Sequence, residues 1–179
     1  DNPGYELRSQ TMFGSTLEKN PNIRHLLQQT LQRTLNNRFC YIHADTTPKN
    51  VLLENSSVSF IDFEAGTYGD PAQDVGIMLA HYFLLIWKHP SLKEKYLQSA
   101  ETFLQSYLSS IHFKLPKKRF LRNIKNDTAA MMLGRVDGAI EFDYLKPHQS
   151  EVRILVAKIL RTDINNFHEL FGIIRRSFS

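Results

Sequence analysis

Tyr41-Ile-His-Ala-Asp-Thr-Thr-Pro-Lys-Asn50, followed by Ile61-Asp-Phe-Glu64, is the stretch on which the reading of this chain turns. His43, Asp45, Asn50, Asp62 and Glu64 fall close together along it, each carrying an oxygen or a titratable ring. Between them lie two short apolar runs, Val51–Leu53 and Val58–Ile61, joined by Asn55, Ser56 and Ser57. β-Favouring runs separated by turn residues predict a β-hairpin. A hairpin folds back on itself, so the loop entering its first strand lies beside the residues leaving its second. Asp45 and Asn50 are therefore expected to face Asp62 and Glu64 across a shared cleft. Carboxylates gathered in this way repel one another unless a cation sits among them. Oxygen donors alone select a hard cation, magnesium rather than zinc.

Around this centre the chain reads as mostly helix. Asn20-Pro21 has the form of a helix start, and Ile23, Leu26, Leu27, Thr30, Leu31, Thr34 and Leu35 hold helical spacing after it. Residues 1–19 show no period and are expected to be irregular. Phe39–Ile42 is expected to be a short buried strand leading into the loop, and Ala65–Gly69 a flexible connection. Asp70 is placed to cap a helix that begins at Pro71, is apolar on most sides, and is broken by His89-Pro90. Leu92 to Leu108 gives another amphipathic helix, Pro116 to about Gly134 a third. Residues 135–147 read as a loop or irregular helix, and the remainder as one or two closing helices.

With 42% apolar and 22% charged residues, residues 1–179 fit one globular domain with a real core. The single cysteine, Cys40, excludes a disulfide within the chain and favours a reducing, cytoplasmic setting. No apolar run reaches the length of a membrane span, so no membrane partner is expected. The net charge is +4 and the pI about 9.2. Lys114, Lys117, Lys118, Arg119, Arg122 and Lys125 cluster, but as a solvated helix face rather than a nucleic-acid surface. A modest positive field suits an anionic substrate such as a nucleotide.

Three motifs, in order, carry a family resemblance: His43-x-Asp45 with Asn50, Ile61-Asp62-Phe-Glu64, and Gly69-Asp70-Pro71-Ala72-Gln73-Asp74. Together they resemble the aminoglycoside phosphotransferase and choline kinase-like group of small-molecule kinases, within the protein-kinase-like superfamily. Arg135-Val-Asp-Gly138 with Tyr144-Leu145 is also similar to a C-terminal segment of some bacterial and archaeal members. The resemblance covers roughly residues 20 to 160. It implies a predominantly helical α+β fold, the C-terminal lobe of a protein-kinase-like fold, with a small β-hairpin carrying the active-site loops. It further implies ATP and Mg2+ as cofactors and the hydroxyl of a small molecule as acceptor.

On that resemblance Asp45 is the catalytic base and His43 orients its loop. Asn50 and Asp62 hold the metal and, through it, the nucleotide phosphates, with Glu64 as a second acid on the metal. Asp70 caps a helix, Asp74 anchors the loop, and Arg135 is a candidate for an anionic substrate group or a surface ion pair. The chain departs from the family pattern at Ala44, where Gly is usual, and at Thr46, where Leu is common. No G-x-G-x-x-G occurs, and nothing before residue 20 could supply a nucleotide-binding sheet, so the N-terminal lobe is expected to be missing. Two functions stay open: a phosphotransferase lobe, and a non-catalytic kinase-like binding module or scaffold. Retention of Asp45, Asn50 and Asp62 together favours the first.

Overall fold

A computed structural model describes residues 14–55, 57–111 and 115–178, and its architecture is helices with two small antiparallel sheets. The helices are α1 (Arg24–Asn36), α2 (Ala72–Lys88), α3 (Lys93–Ser110), α4 (Lys117–Asp137), α5 (Gln149–Arg161) and α6 (Phe167–Arg176). The strands are β1 (Cys40–Ile42), β2 (Val51–Glu54), β3 (Ser57–Phe60) and β4 (Thr67–Gly69). β2 pairs with β3, Val51 opposite Phe60 and Glu54 opposite Ser57, which is the expected hairpin. Asn55 takes the left-handed φ of 53° that Asn tolerates in a tight turn.

Several expectations are corrected. Residues 14–19 are helical rather than irregular, while 1–13 lie outside the described residues. Asn20 does not cap α1 with its side chain. Its Nδ2 instead donates to Thr16 O at 2.9 Å and to Asp137 Oδ2 at 2.8 Å. β1 is not a buried strand, since Tyr41 is 56% exposed; it pairs with β4, where a flexible connection was expected. α4 runs on to Asp137 and so carries Arg135 inside its last turn. Lys125 leaves the solvated basic face: it is buried, and its Nζ donates to Leu160 O and Thr162 O at the end of α5. Lys117, Lys118, Arg119 and Arg122 are exposed as expected, and Lys114 lies outside the described residues.

The core is built on α2. Its length is lined by Val75, Ile77, Leu79, Phe83, Leu84 and Ile86, all nearly fully buried, with Phe83 meeting Phe171 of α6 edge-on. Each such side chain contributes on the order of 2–3 kcal/mol through removal from water. The closest approach is between α2 and α4 at Gly76. A Cβ there would stand 2.6 Å from Asp127 Cβ and 2.9 Å from Thr128 N, so only glycine lets the two backbones come together.

A buried polar network ties α1 to this pair. Arg33 donates to Asp70 Oδ2 at 2.6 Å and to Asp127, and Asp70 also accepts from Asn37 and Asn123. α2 begins at Ala72 with Pro71 at the N-cap position, one residue later than expected, and Asp70 Oδ1 takes the Ala72 amide at 3.0 Å from just before it. Burial pushes the Asp127 carboxyl up to about 6, against the pull of Arg33.

Candidate active site

The loop between β1 and β2 is held from beneath by Asp74 in the first turn of α2. His43 N and Ala44 N each donate to its carboxylate at 2.8 Å, and Thr46 Oγ1 donates to its carbonyl at 2.6 Å. Burial raises the Asp74 pKa while the two amides oppose the rise. Asp74 is thus the expected anchor. Ala44 adopts φ 62°, a left-handed conformation that glycine takes freely and alanine only at a cost.

His43 is buried, and its ring is held in place by its neighbours. Its Nε2 meets Ile61 O at 2.9 Å, Asp45 N lies 3.3 Å from its Nδ1, and its ring packs against Phe63 at 4.4 Å. Ile61 N in turn donates to Asn50 O at 3.0 Å. These bonds close the base of the hairpin, so Asp62, the next residue, leaves beside His43 and Asn50.

Asp45 is half-buried. Asn50 Nδ2 donates to its Oδ2 at 3.0 Å and to its carbonyl at 2.9 Å, and Lys49 Nζ stands 3.7 Å from the same Oδ2. The Asn50 amide nitrogen is committed in this way, which leaves the Oδ1 end of a buried side chain for another partner. Asp62 is exposed and sits at φ 67°, ψ 56°, left-handed in a non-glycine residue like Ala44 and Asn55. Strained backbone of this kind clusters at functional sites. Glu64 is exposed in the turn Phe63–Ala65. Among the described residues no three His, Cys, Asp or Glu side chains gather as a metal-holding group, so Asp45, Asp62 and Glu64 do not form a three-acid cage.

A cavity of about 430 Å³ opens beside Asp45. Its wall takes Ala44 and Lys49 from the loop, His81 and Leu85 from α2, Met131 and Arg135 from α4, and Phe142 and Tyr144 beyond α4. The segment after α4 is folded back by Phe142 N, which donates to Arg135 O at 2.9 Å. The Arg135 guanidinium lies 5.1 Å over the Phe142 ring. Burial, then the nearby Arg135, pushes the His81 pKa down to about 4. His81 shows in the sequence only as an interruption of an apolar run; its spacing carries no sign of the cavity. A second cleft of about 390 Å³ involves Arg33, Arg122 and Asp163, but its Arg33 is spent on Asp70 and Asp127.

Among the described residues no helix is long and apolar enough to cross a membrane. No curated protein matches the chain. The phosphotransferase enzyme family does match, over residues 6–109, a span that takes in the loop, the hairpin and α2 with its anchoring Asp74. Because that match covers more than half of the sequence and all three motifs, this chain belongs to the phosphotransferase enzyme family.

Proposed function

We propose that the protein transfers the γ-phosphate of ATP to the hydroxyl of a small molecule, with Asp45 as the base. Family membership brings the protein-kinase-like fold and phosphotransferase chemistry in general; the donor, the acceptor and the residue roles are our reading. The observation that carries it is the placement of the Asp45 carboxylate, fixed by Asn50 and Lys49, on the wall of the cavity beside the loop. An alcohol seated there would present its proton to Asp45, and phosphoryl transfer needs little more than such alignment and proton acceptance.

The residues present fit a magnesium-nucleotide. Asn50 Oδ1 and the Asp62 carboxylate are hard oxygen donors on either side of the bond that closes the hairpin, suited to magnesium and not to a thiolate-seeking metal. They would hold the ion, with Glu64 as a further contact. When bound, magnesium neutralises charge on the transferring phosphoryl group. The exposed apolar hairpin residues Leu52, Leu53, Val58 and Phe60 offer a surface for a nucleotide base and for an N-terminal lobe of the family kind.

Two variants of the full-length protein separate the roles. Asp45→Asn keeps size and polarity but accepts no proton, so turnover should fall by about 10²–10⁴-fold with nucleotide affinity nearly unchanged. Asp62→Asn removes a charged ligand, so the affinity for magnesium-ATP itself should weaken. Small, equal effects of both on turnover and binding would sink this assignment and leave the binding-module reading.

A further inference from the structure

We propose that the cavity beside Asp45 selects an anionic acceptor: an alcohol with an apolar body and a carboxylate or phosphate directed at Arg135. The proposal deepens the phosphotransferase reading and rests on it for the role of the hydroxyl. Charge on the wall is the first argument. Among the described residues, the charged groups that line the cavity are Asp45, Lys49 and Arg135, two cations against one carboxylate. Asp45 is already engaged by Asn50 and Lys49, and the transfer reserves it for the hydroxyl proton. A polycationic acceptor would find no second acid among the described residues of this wall and would meet the Arg135 guanidinium.

The aromatic residues make the same point against a quaternary ammonium. Recognition of such a group uses open ring faces. Here Arg135 lies 5.1 Å over Phe142, and Lys88 Nζ lies 5.5 Å over Tyr144, so the protein's own cations occupy these rings. Packing on Phe142 also fixes the guanidinium, whose planar fork matches a carboxylate or phosphate. Leu85, Met131 and Ile140 supply apolar wall for the body of the ligand.

His81 gives an independent sign of a polar ligand. Its Nε2 is buried and has no hydrogen-bond partner among the described residues, although its ring lines the cavity. A buried polar atom left unpaired costs free energy, and a ligand oxygen would remove that cost. With its pKa pushed down to about 4 the ring is neutral at neutral pH and adds a hydrogen bond without a charge.

The test is a binding titration without nucleotide, using four probes that share a para-(hydroxymethyl)phenyl body: para-(hydroxymethyl)benzoate, para-(hydroxymethyl)phenyl phosphate, para-(hydroxymethyl)benzamide and para-(hydroxymethyl)benzylamine. Ligand-observed NMR on the wild-type full-length protein should rank one or both anions at least about tenfold tighter than the amide and the amine. The two anionic arms tell carboxylate from phosphate. Arg135→Gln should abolish the preference and Arg135→Lys should retain part of it, with circular dichroism confirming that both fold. Equal binding of all four probes, binding of none, or preference for the amine in the wild type overturns the proposal without any variant. Anion binding with no phosphoryl transfer from magnesium-ATP would instead sink the phosphotransferase reading alone.

Discussion

On one side of the loop that carries Asp45, side chains from α2, α4 and the segment beyond α4 close over a cavity. On the other, the β2–β3 hairpin stands in solvent, with Leu53 77% and Val58 61% exposed. The two sides meet at the same few hydrogen bonds, from the His43 ring to Ile61 O and from Ile61 N to Asn50 O. They differ in what holds them. The cavity wall is welded to the α2–α4 core, so it is preformed and its chemistry is fixed by the chain itself. A two-stranded ribbon is marginal alone and draws its order from its closed base. The enclosed side is therefore the place to look for acceptor selectivity, and the open side the place where something else must bind.

The largest effect should come from protons on the enclosed side. His81 has a folded pKa of about 4 against an ordinary 6.5. The unfolded chain thus takes up a proton below pH 6.5 that the folded chain refuses until about pH 4. Stability from this group is complete above pH 6.5 and is lost as pH falls towards 4, by about 3 kcal/mol in all. Asp127 works the other way. Its folded pKa of about 6 lies above the ordinary 3.8, so its contribution falls as pH rises through that window. The wild-type curve should be comparatively flat where the two overlap. His81→Asn should become more stable relative to wild type as pH drops from 6.5 to 4, read by urea unfolding across pH. A difference curve with no slope would mean that His81 is hydrated in the folded protein and carries no burial penalty.

Truncation on each side should give a smaller but direct measure of the contrast. Met131, on the cavity wall and nearly fully buried, should cost about 2 kcal/mol as Met131→Ala, at the low end for a core site because it borders a space already present. Leu53→Ala, on the hairpin, should stay within about 0.5 kcal/mol. Unfolding midpoints at unchanged m-value would give both. Equal losses would break the comparison, and would show that in the full-length protein the hairpin is covered by other parts of the fold.

What the sequence discloses follows the same division. The hairpin and the Asp70 helix start are local features, set by turn residues and by spacings of a few positions. They could be read from Asn55 and from Gly69-Asp70-Pro71. The anchoring role of Asp74, whose partners His43 and Ala44 lie 31 and 30 positions away, is legible only through the family resemblance. The β1–β4 pairing could not, because strands of three residues leave no period to detect. Nor could the cavity, which needs His81, Met131, Arg135 and Phe142 to converge from separate elements. Lys125 is a different failure. Its position shares the helical face of Leu121 and Thr128, so the helical period points inward although a lysine charge by itself favours solvent. The carbonyls at the end of α5 make the inward position affordable.

The smallest effect belongs to the residue at the boundary between the two sides. Ala44 holds φ 62° where the family usually has glycine, and its methyl both lines the cavity and packs with Ile42 and Ala65. Left-handed backbone costs a non-glycine residue about 1–2 kcal/mol, which Ala44→Gly would relieve. Against this, glycine gives the unfolded chain extra freedom worth about 0.4–1 kcal/mol and surrenders a buried methyl worth about 0.8 kcal/mol. The terms nearly cancel, so Ala44→Gly should shift stability by less than about 0.5 kcal/mol in either direction. The cavity should respond more clearly than the fold, because the lost methyl widens its wall beside Asp45. The KM for the acceptor should rise while kcat stays close to the wild-type value, since the Asp74 bond to the residue-44 amide is kept. A loss of stability above about 1 kcal/mol would show that the methyl packs as core and that strain at this position is slight. A fall in kcat with KM unchanged would place the residue with the reacting groups instead of the cavity wall.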